Sequence, residues 1–243
     1  MALIPLEEIA RWEPTKQDFA IGNMLIISEN HNPRSLPRLY STLLYSILSV
    51  QERFARHKQI FNEFLFQDLF EPEEIIKRKD DVKKILDSYG KNSSKSQTII
   101  NSAKAWIQLS IRDKIFDDPD RLRGKELRKE MVDAMKGVGM KLASLTLRMA
   151  CYENLAPIDS TTQQFIESRG FVYQKPLTSG KPQGLKNKAH EQYETKLEEL
   201  AMPYDVSVAL MQATIYAKLS SWKKDSGIQE IYTPLFIAKH FTV

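Results

Sequence analysis

The stretch of this sequence that is most suggestive of chemistry runs from Lys136 to Asp159 and contains a glycine turn, a lysine and an aspartate. Gly137, Val138 and Gly139 come just before Lys141, and Asp159 follows eighteen residues after that lysine. A lysine becomes a nucleophile once its amine has lost the proton. A Gly-Val-Gly turn can cradle a phosphate through its backbone amides. The combination of phosphate-binding turn, lysine and aspartate suggests chemistry on DNA.

The glycine turn is flanked by helical patterns on both sides. Apolar residues recur at three- or four-residue spacing before it (Leu127, Met131, Met135) and after it (Leu142, Leu145, Met149). The sequence therefore predicts a helix, a tight hairpin and a second helix. Glycine tolerates positive φ and lets another backbone approach, so exposed turn amides and the next helix N-terminus would bind a phosphodiester oxygen. A plain turn between two helices is the alternative.

Lys141 is predicted to lie in the first turn of the second helix. The positive end of the helix macrodipole disfavours an ammonium there, and partial burial would add to this effect. The alternative is an ordinary solvated lysine. Asp159 ends the apolar segment LAPID and is predicted to be the N-cap of a following helix that contains Gln163, Phe165 and Ile166. A purely structural cap is the alternative for that residue.

Together, these residues resemble the helix-hairpin-helix DNA glycosylases, a family that includes endonuclease III and the 8-oxoguanine glycosylases. The family pattern G-V-G-x-K, followed by an aspartate on entry to a later helix, is matched by Gly137 to Lys141 and by Asp159. The resemblance implies that Lys141 attacks C1′ of a damaged nucleotide. It also implies that Asp159 orients that nucleotide and stabilises positive charge, and that the enzyme cuts both base and strand.

Two further stretches are similar to the same family. The stretch from Leu43 to Phe64 looks like its L-S-x-Q segment, in which the glutamine enters the duplex near the lesion. Here that residue would be Gln51, and a solvated helix end is the alternative. Tyr193 to Ser220 is similar in rhythm to the helix pair that closes the 8-oxoguanine branch. The sequence departs from the family where Ser160 and Thr161 follow the aspartate, because a threonine and a histidine are common there.

The cysteine content separates the branches of this family. Endonuclease III-like members usually carry four C-terminal cysteines for an iron-sulfur cluster, whereas this chain has one cysteine. No cofactor is therefore expected. Cys151 is predicted on the apolar side of the second hairpin helix. The four histidines share no metal-binding spacing, so no metal site is expected either.

Composition limits the partners of the chain. Its net charge is +4, from 35 basic and 31 acidic residues, so any DNA affinity depends on where charges lie, with Lys136 and Lys141 as candidates at the turn. The first residues contain neither a basic segment nor a long apolar run. We therefore expect no signal peptide or membrane span, and an intracellular monomer in the cytoplasm, nucleoid or nucleus.

Helical spacing extends over most of the chain and predicts an all-α fold. Leu39, Leu43, Ile47 and Val50, for example, recur at intervals of three or four. The resemblance implies a central lobe over 33–152, which ends in the helix-hairpin-helix at about 125–150. It implies a second lobe from 1–32 and 153–243, with an active cleft between the lobes.

The substrate expected from the resemblance is double-stranded DNA with a damaged base, 8-oxoguanine above all, or an abasic site. Two other classes remain open from the residues themselves. The chain could be a non-catalytic hairpin module that binds DNA structure, or an all-helical scaffold for protein interaction.

Overall fold

The structure, a computed structural model, describes residues 6–29, 39–50, 54–90, 93–171, 173 and 187–222. These residues form thirteen α-helices and a short 3-10 helix, and no strand occurs among them. The prediction of an all-α fold is confirmed. The chain divides into two compact units, one of Asn30–Tyr152 and the other of Met1–Glu29 with Glu153–Val243.

The unit Asn30–Tyr152 contains the helix pair around the glycine turn. Its helices are α3 (Leu39–Ser49), α4 (Phe54–Phe66), α5 (Pro72–Lys77), α6 (Lys79–Ser88), α7 (Ser93–Gln108), α8 (Ile111–Phe116), α9 (Gly124–Ala134) and α10 (Met140–Met149). Every α3 residue from Leu39 to Leu48 except Tyr45 is buried, as expected of a helix that is apolar on all sides. Helices α7 and α10 pack against it. Val50, predicted on the apolar face, is 41% exposed because α3 ends at Ser49.

The other unit is built from both ends of the chain. Its helices are α1 (Leu6–Arg11), α2 (Lys16–Glu29), α11 (Ser160–Ser168), α12 (Asn187–Ala201) and α13 (Val208–Trp222), with the 3-10 helix Met202–Tyr204. Its core joins apolar residues of α1, α11, α12 and α13. Arg169, at the end of α11, donates to the carbonyl oxygens of Ile9 and Trp12 and lies 3.6 Å from the ring centroid of Phe165. This side chain fixes α11 against α1.

Candidate functional site

A hairpin of five residues, Met135–Gly139, joins α9 to α10. The apolar stripe predicted on α9 is confirmed, because Leu127, Met131 and Met135 are fully buried. Val138 also enters the core, with 3% of its surface exposed, and its N–H donates to the Met135 carbonyl at 2.9 Å. The Val138 amide is therefore not one of the exposed amides predicted at this turn. Instead, it holds the hairpin in place.

The two glycines of the hairpin have different reasons to be glycine. Gly137 has φ +93°, and a Cβ there would lie 2.6 Å from Oγ1 of Thr98. Gly139 has φ −94° and ψ 177°, an extended conformation that any residue adopts, and a Cβ there would meet nothing within 4 Å. The positive-φ argument thus applies to Gly137 alone. Gly139 leaves open space beside the start of α10.

Lys141 is the second residue of α10, in the first turn as the spacing predicted. Its side chain is exposed, so burial adds nothing to the effect of the helix macrodipole on this amine. Neither Lys141 nor the exposed Lys136 has a hydrogen bond or ion pair to any residue that the structure describes. The N-cap of α10, Gly139, contributes no side-chain hydrogen bond. Two lysine side chains and the uncapped first turn of α10 therefore face outward beside the hairpin.

Asp159 is the N-cap of α11, as the sequence predicted. Its Oδ1 accepts a hydrogen bond from the Thr162 N–H at 2.7 Å, which satisfies one of the donors that a helix N-terminus leaves free. Its second carboxylate oxygen has no hydrogen-bond partner within the described part of the chain, and the residue is half-buried. Asp159 therefore combines a structural hydrogen bond with an oxygen that remains available to a ligand.

The predicted site residues divide between the two units. Lys136, Gly137, Val138, Gly139 and Lys141 lie together on the hairpin of one unit, and Asp159 belongs to the other. Gln51 lies outside the described residues. The ammonium of Lys95 donates to the carbonyl oxygens of Leu48 at 3.2 Å and Val50 at 3.0 Å. These bonds hold the end of α3 immediately before Gln51.

A family comparison decides how this arrangement is to be interpreted. The model of the 8-oxoguanine DNA glycosylase family matches residues 27–206 of the 243-residue chain. The chain belongs to this family. It is a DNA glycosylase of DNA repair, and its partner is DNA. The matched range contains both α9–α10 and the Asp159 segment, so the hairpin lies within the part of the chain that defines the 8-oxoguanine DNA glycosylase family.

A comparison of folds agrees with that assignment. The crystal structure of the 8-oxoguanine DNA glycosylase of Methanocaldococcus jannaschii matches with a TM-score of 0.64. The match has 15% sequence identity and covers 89% of this chain and 94% of that chain. At this identity the likeness supports a common fold alone. A comparison with curated protein sequences gives no significant match.

Within the described ranges, no group of three or more His, Cys, Asp or Glu residues lies together as a metal site would require. No helix in the described part of the chain is long and apolar enough to cross a membrane. Cys151 lies in the turn after α10, with φ +70° and partial exposure, so its predicted place on the apolar side of that helix is wrong.

Two polar residues near Asp159 were not identified from the sequence of this glycosylase. His190 and Glu194 lie one helical turn apart on α12, and both are buried. The sequence pattern that could have indicated them is their position between apolar residues on one face of α12, beside Ala189, Tyr193 and Leu197. Buried polar side chains require partners, but their partners lie more than thirty residues away in the sequence.

Proposed function

We propose that this protein removes 8-oxoguanine from double-stranded DNA and then nicks the strand at the resulting abasic site, acting as a monomer. The observation that carries the proposal is Lys141. In a chain of the 8-oxoguanine DNA glycosylase family, an exposed lysine without a partner among the described residues directly follows the hairpin. Such an amine is free to reach a substrate carbon.

The hairpin is proposed to bind the DNA backbone. The uncapped first-turn amides of α10 and the charge of Lys136 suit a phosphate oxygen. The open space at Gly139 allows that phosphate to approach closely. Contacts of this kind set the position of the protein on the duplex and do not read sequence. In this proposal Gln51 enters the duplex where the damaged nucleotide leaves it, at a cost of about a few kcal/mol.

The proposed reaction begins with attack of the neutral Lys141 amine on C1′ of the flipped nucleotide. The bond from C1′ to the base breaks, and the base leaves with the bonding electrons and takes up a proton. Opening of the sugar ring then gives a Schiff base between C1′ and the lysine nitrogen. Loss of a proton from C2′ breaks the bond from C3′ to its oxygen, which nicks the strand.

Asp159 is proposed to act on the same nucleotide. As the base departs, positive charge develops on the sugar, and a fixed carboxylate stabilises that charge more than a mobile one would. The hydrogen bond from Thr162 fixes one oxygen of Asp159 and leaves the other available. This geometry supports a role in orienting the sugar and offsetting its charge.

The choice of 8-oxoguanine is supported by two observations. The matching family model is that of the 8-oxoguanine DNA glycosylases. The single cysteine cannot supply the four thiolates of the cluster typical of endonuclease III-like relatives. A panel of duplexes with 8-oxoguanine, an oxidised pyrimidine, uracil or an abasic site tests this choice directly. Faster base release from the oxidised pyrimidine than from 8-oxoguanine would refute it.

The lyase proposal is tested by borohydride, which reduces a Schiff base to a stable amine. Wild-type protein is expected to form a covalent adduct with a duplex that carries 8-oxoguanine. Lys141→Gln should abolish both adduct and nicking. Lys129→Gln is the matched control, because Lys129 is exposed on α9 and its loss removes the same charge. A Lys141→Gln protein that still nicks abasic DNA would refute the assignment.

A further inference from the structure

The segment that leads to Asp159 is irregular and yet buried. Leu155 and Ala156 have no exposed surface, and Ile158 is 2% exposed. Loops normally lie on the surface because a buried irregular backbone must find partners for each N–H and C=O group outside regular structure. The segment therefore depends on hydrogen bonds supplied by other elements of its unit.

Helix α12 supplies partners for both polar groups of Ala156. Oε1 of Glu194 accepts the Ala156 N–H at 2.8 Å, and Nε2 of His190 lies 3.0 Å from the Ala156 carbonyl oxygen. A carbonyl oxygen only accepts, so Nε2 carries the hydrogen of this bond. His190 and Glu194 are 1% and 2% exposed, and their four-residue spacing places both on one face of α12. Together they hold the Ala156 backbone from two sides.

The same helix is part of the core that supports α11. Tyr193 and Leu197 of α12 pack in one cluster with Phe165 and Ile166 of α11. Asp159 thus lies between two supports: Ala156 is held three residues before it, and Thr162 binds its carboxylate three residues after it. Pro157, whose ring fixes φ, stiffens the short connection between Ala156 and Asp159.

We infer that His190 and Glu194 are positioning residues for the Asp159 carboxylate. This inference rests on the proposed role of Asp159 in base excision. A carboxylate that offsets charge on a sugar must be held within about 0.5 Å of its working position, and displacement by about 1 Å can cost about a hundredfold in rate. Loss of the bonds to Ala156 releases the backbone that determines where Asp159 lies.

The first test compares two variants of Glu194 in the full-length protein. Glu194→Met removes the acceptor at similar volume, whereas Glu194→Gln keeps an oxygen that can accept the Ala156 N–H. With excess enzyme and a duplex carrying 8-oxoguanine opposite cytosine, Glu194→Met is expected to slow single-turnover base release by about tenfold to a hundredfold. Glu194→Gln should restore the rate to within about threefold. The Kd for a duplex with a tetrahydrofuran abasic analogue should stay within about threefold in both.

Loss of stability alone is controlled by Tyr204→Phe in the 3-10 helix that follows α12. It removes the hydrogen bond to Glu13 and no bond to Ala156 or α11. Tyr204→Phe is expected to lower the Tm slightly and leave base release unchanged. If Glu194→Met does not unfold cooperatively, His190→Phe replaces it, because a phenyl ring keeps much of the shape and removes the donor to Ala156. Wild-type base release by a folded variant that lacks either bond would overturn the inference.

A double-mutant cycle with Asp159→Asn shows whether the effect passes through Asp159. If it does, Glu194→Met has little further effect on base release once the carboxylate is gone. If the rate losses of the two single variants multiply in the double variant, the two residues act independently, which would contradict a positioning role. If Asp159→Asn alone keeps the wild-type rate, the proposed role of Asp159 fails and the inference fails with it. A slow Asp159→Asn protein beside a normal Glu194→Met protein refutes the inference alone.

Discussion

Helices α10 and α11 begin and end with nearly the same backbone conformations but carry different side chains at both ends. Their N-caps, Gly139 and Asp159, have φ of −94° and −101°, and both have ψ of 177°. Their C-caps, Ala150 and Arg169, have φ of −95° and −96° and ψ of 21° and 20°. The local backbone is therefore the same, and the differences between the two helices come from the side chains placed on it.

The difference at the N-terminus decides what each helix can bind. Asp159 occupies the first turn of α11 with its own carboxylate, whereas Gly139 leaves the first turn of α10 without a side-chain partner. The second residue is the exposed Lys141 in α10 and the buried Thr161 in α11. One helix start is therefore suited to an external anion, and the other carries its own.

The largest effect is expected from removal of the negative charge at α11. Asp159→Asn keeps a side-chain oxygen for the Thr162 N–H, so the free energy of unfolding should stay within about 0.5 kcal/mol. Single-turnover base release should fall by about a hundredfold, or about 2.7 kcal/mol in the barrier, because the charge that offsets the cationic sugar is lost. Asp159→Ala should show the same rate loss together with about 1 kcal/mol lower stability. If only stability changes across this pair, Asp159 is a cap and nothing more.

The hairpin glycines should respond differently to the same substitution. Gly137→Ala should lower the free energy of unfolding by about 2 kcal/mol, because φ is positive there and the new methyl group meets Thr98. Gly139→Ala should lower it by only about 0.5 kcal/mol, because a Cβ meets nothing within 4 Å and the one cost is that alanine is a poorer N-cap than glycine. Urea unfolding of both variants measures the contrast. Equal losses would show that the two positions do not differ as described.

Placing an aspartate at the start of α10 would give it the N-cap of α11. Gly139→Asp should raise the stability by a few tenths of a kcal/mol through capping, because the backbone already has the required conformation. Its affinity for duplex DNA should be about tenfold below that of Gly139→Asn at about 0.1 M salt, because the carboxylate repels the phosphate. Fluorescence anisotropy measures both variants. Equal affinities would argue against a phosphate at this helix start.

Local features of α9, α10 and α11 were predictable from sequence, because short-range patterns determine them. The stripe of Leu127, Met131 and Met135, the first-turn position of Lys141 and the capping role of Asp159 all follow from spacing within one or two turns. Predictions from the same periodicity were wrong for Val50 and Cys151, which were expected on the apolar faces of their helices. Periodicity gives the face of a helix but not the residue at which it ends, and both residues lie just past a helix end.

The support of the Asp159 segment could not be predicted in the same way. Ala156 is held by residues 34 and 38 positions away in the chain, and no local pattern links a buried irregular backbone to a distant helix. The exposure of Lys141 could not be decided from the sequence either, because a first-turn position fixes the backbone and leaves the long side chain free. Hydrogen bonds between distant segments arise from tertiary packing, which one sequence does not specify residue by residue.

The smallest effect is expected at the C-termini, where α10 has a cysteine and α11 a glycine. Cys151 and Gly170 have φ of +70° and +84°. Their N–H groups donate to the backbone carbonyl oxygens of Arg148 and Glu167 in the same capping pattern. Cys151→Gly should relieve the strain of a left-handed residue and raise stability by about 0.5 kcal/mol, after the added entropy of the unfolded chain is counted. Gly170→Ala should lower it by about 1 kcal/mol. Calorimetry of the two variants should therefore show Tm shifts of opposite sign. A lower Tm for Cys151→Gly would mean that packing of the cysteine side chain stabilises the fold by more than its left-handed backbone conformation destabilises it.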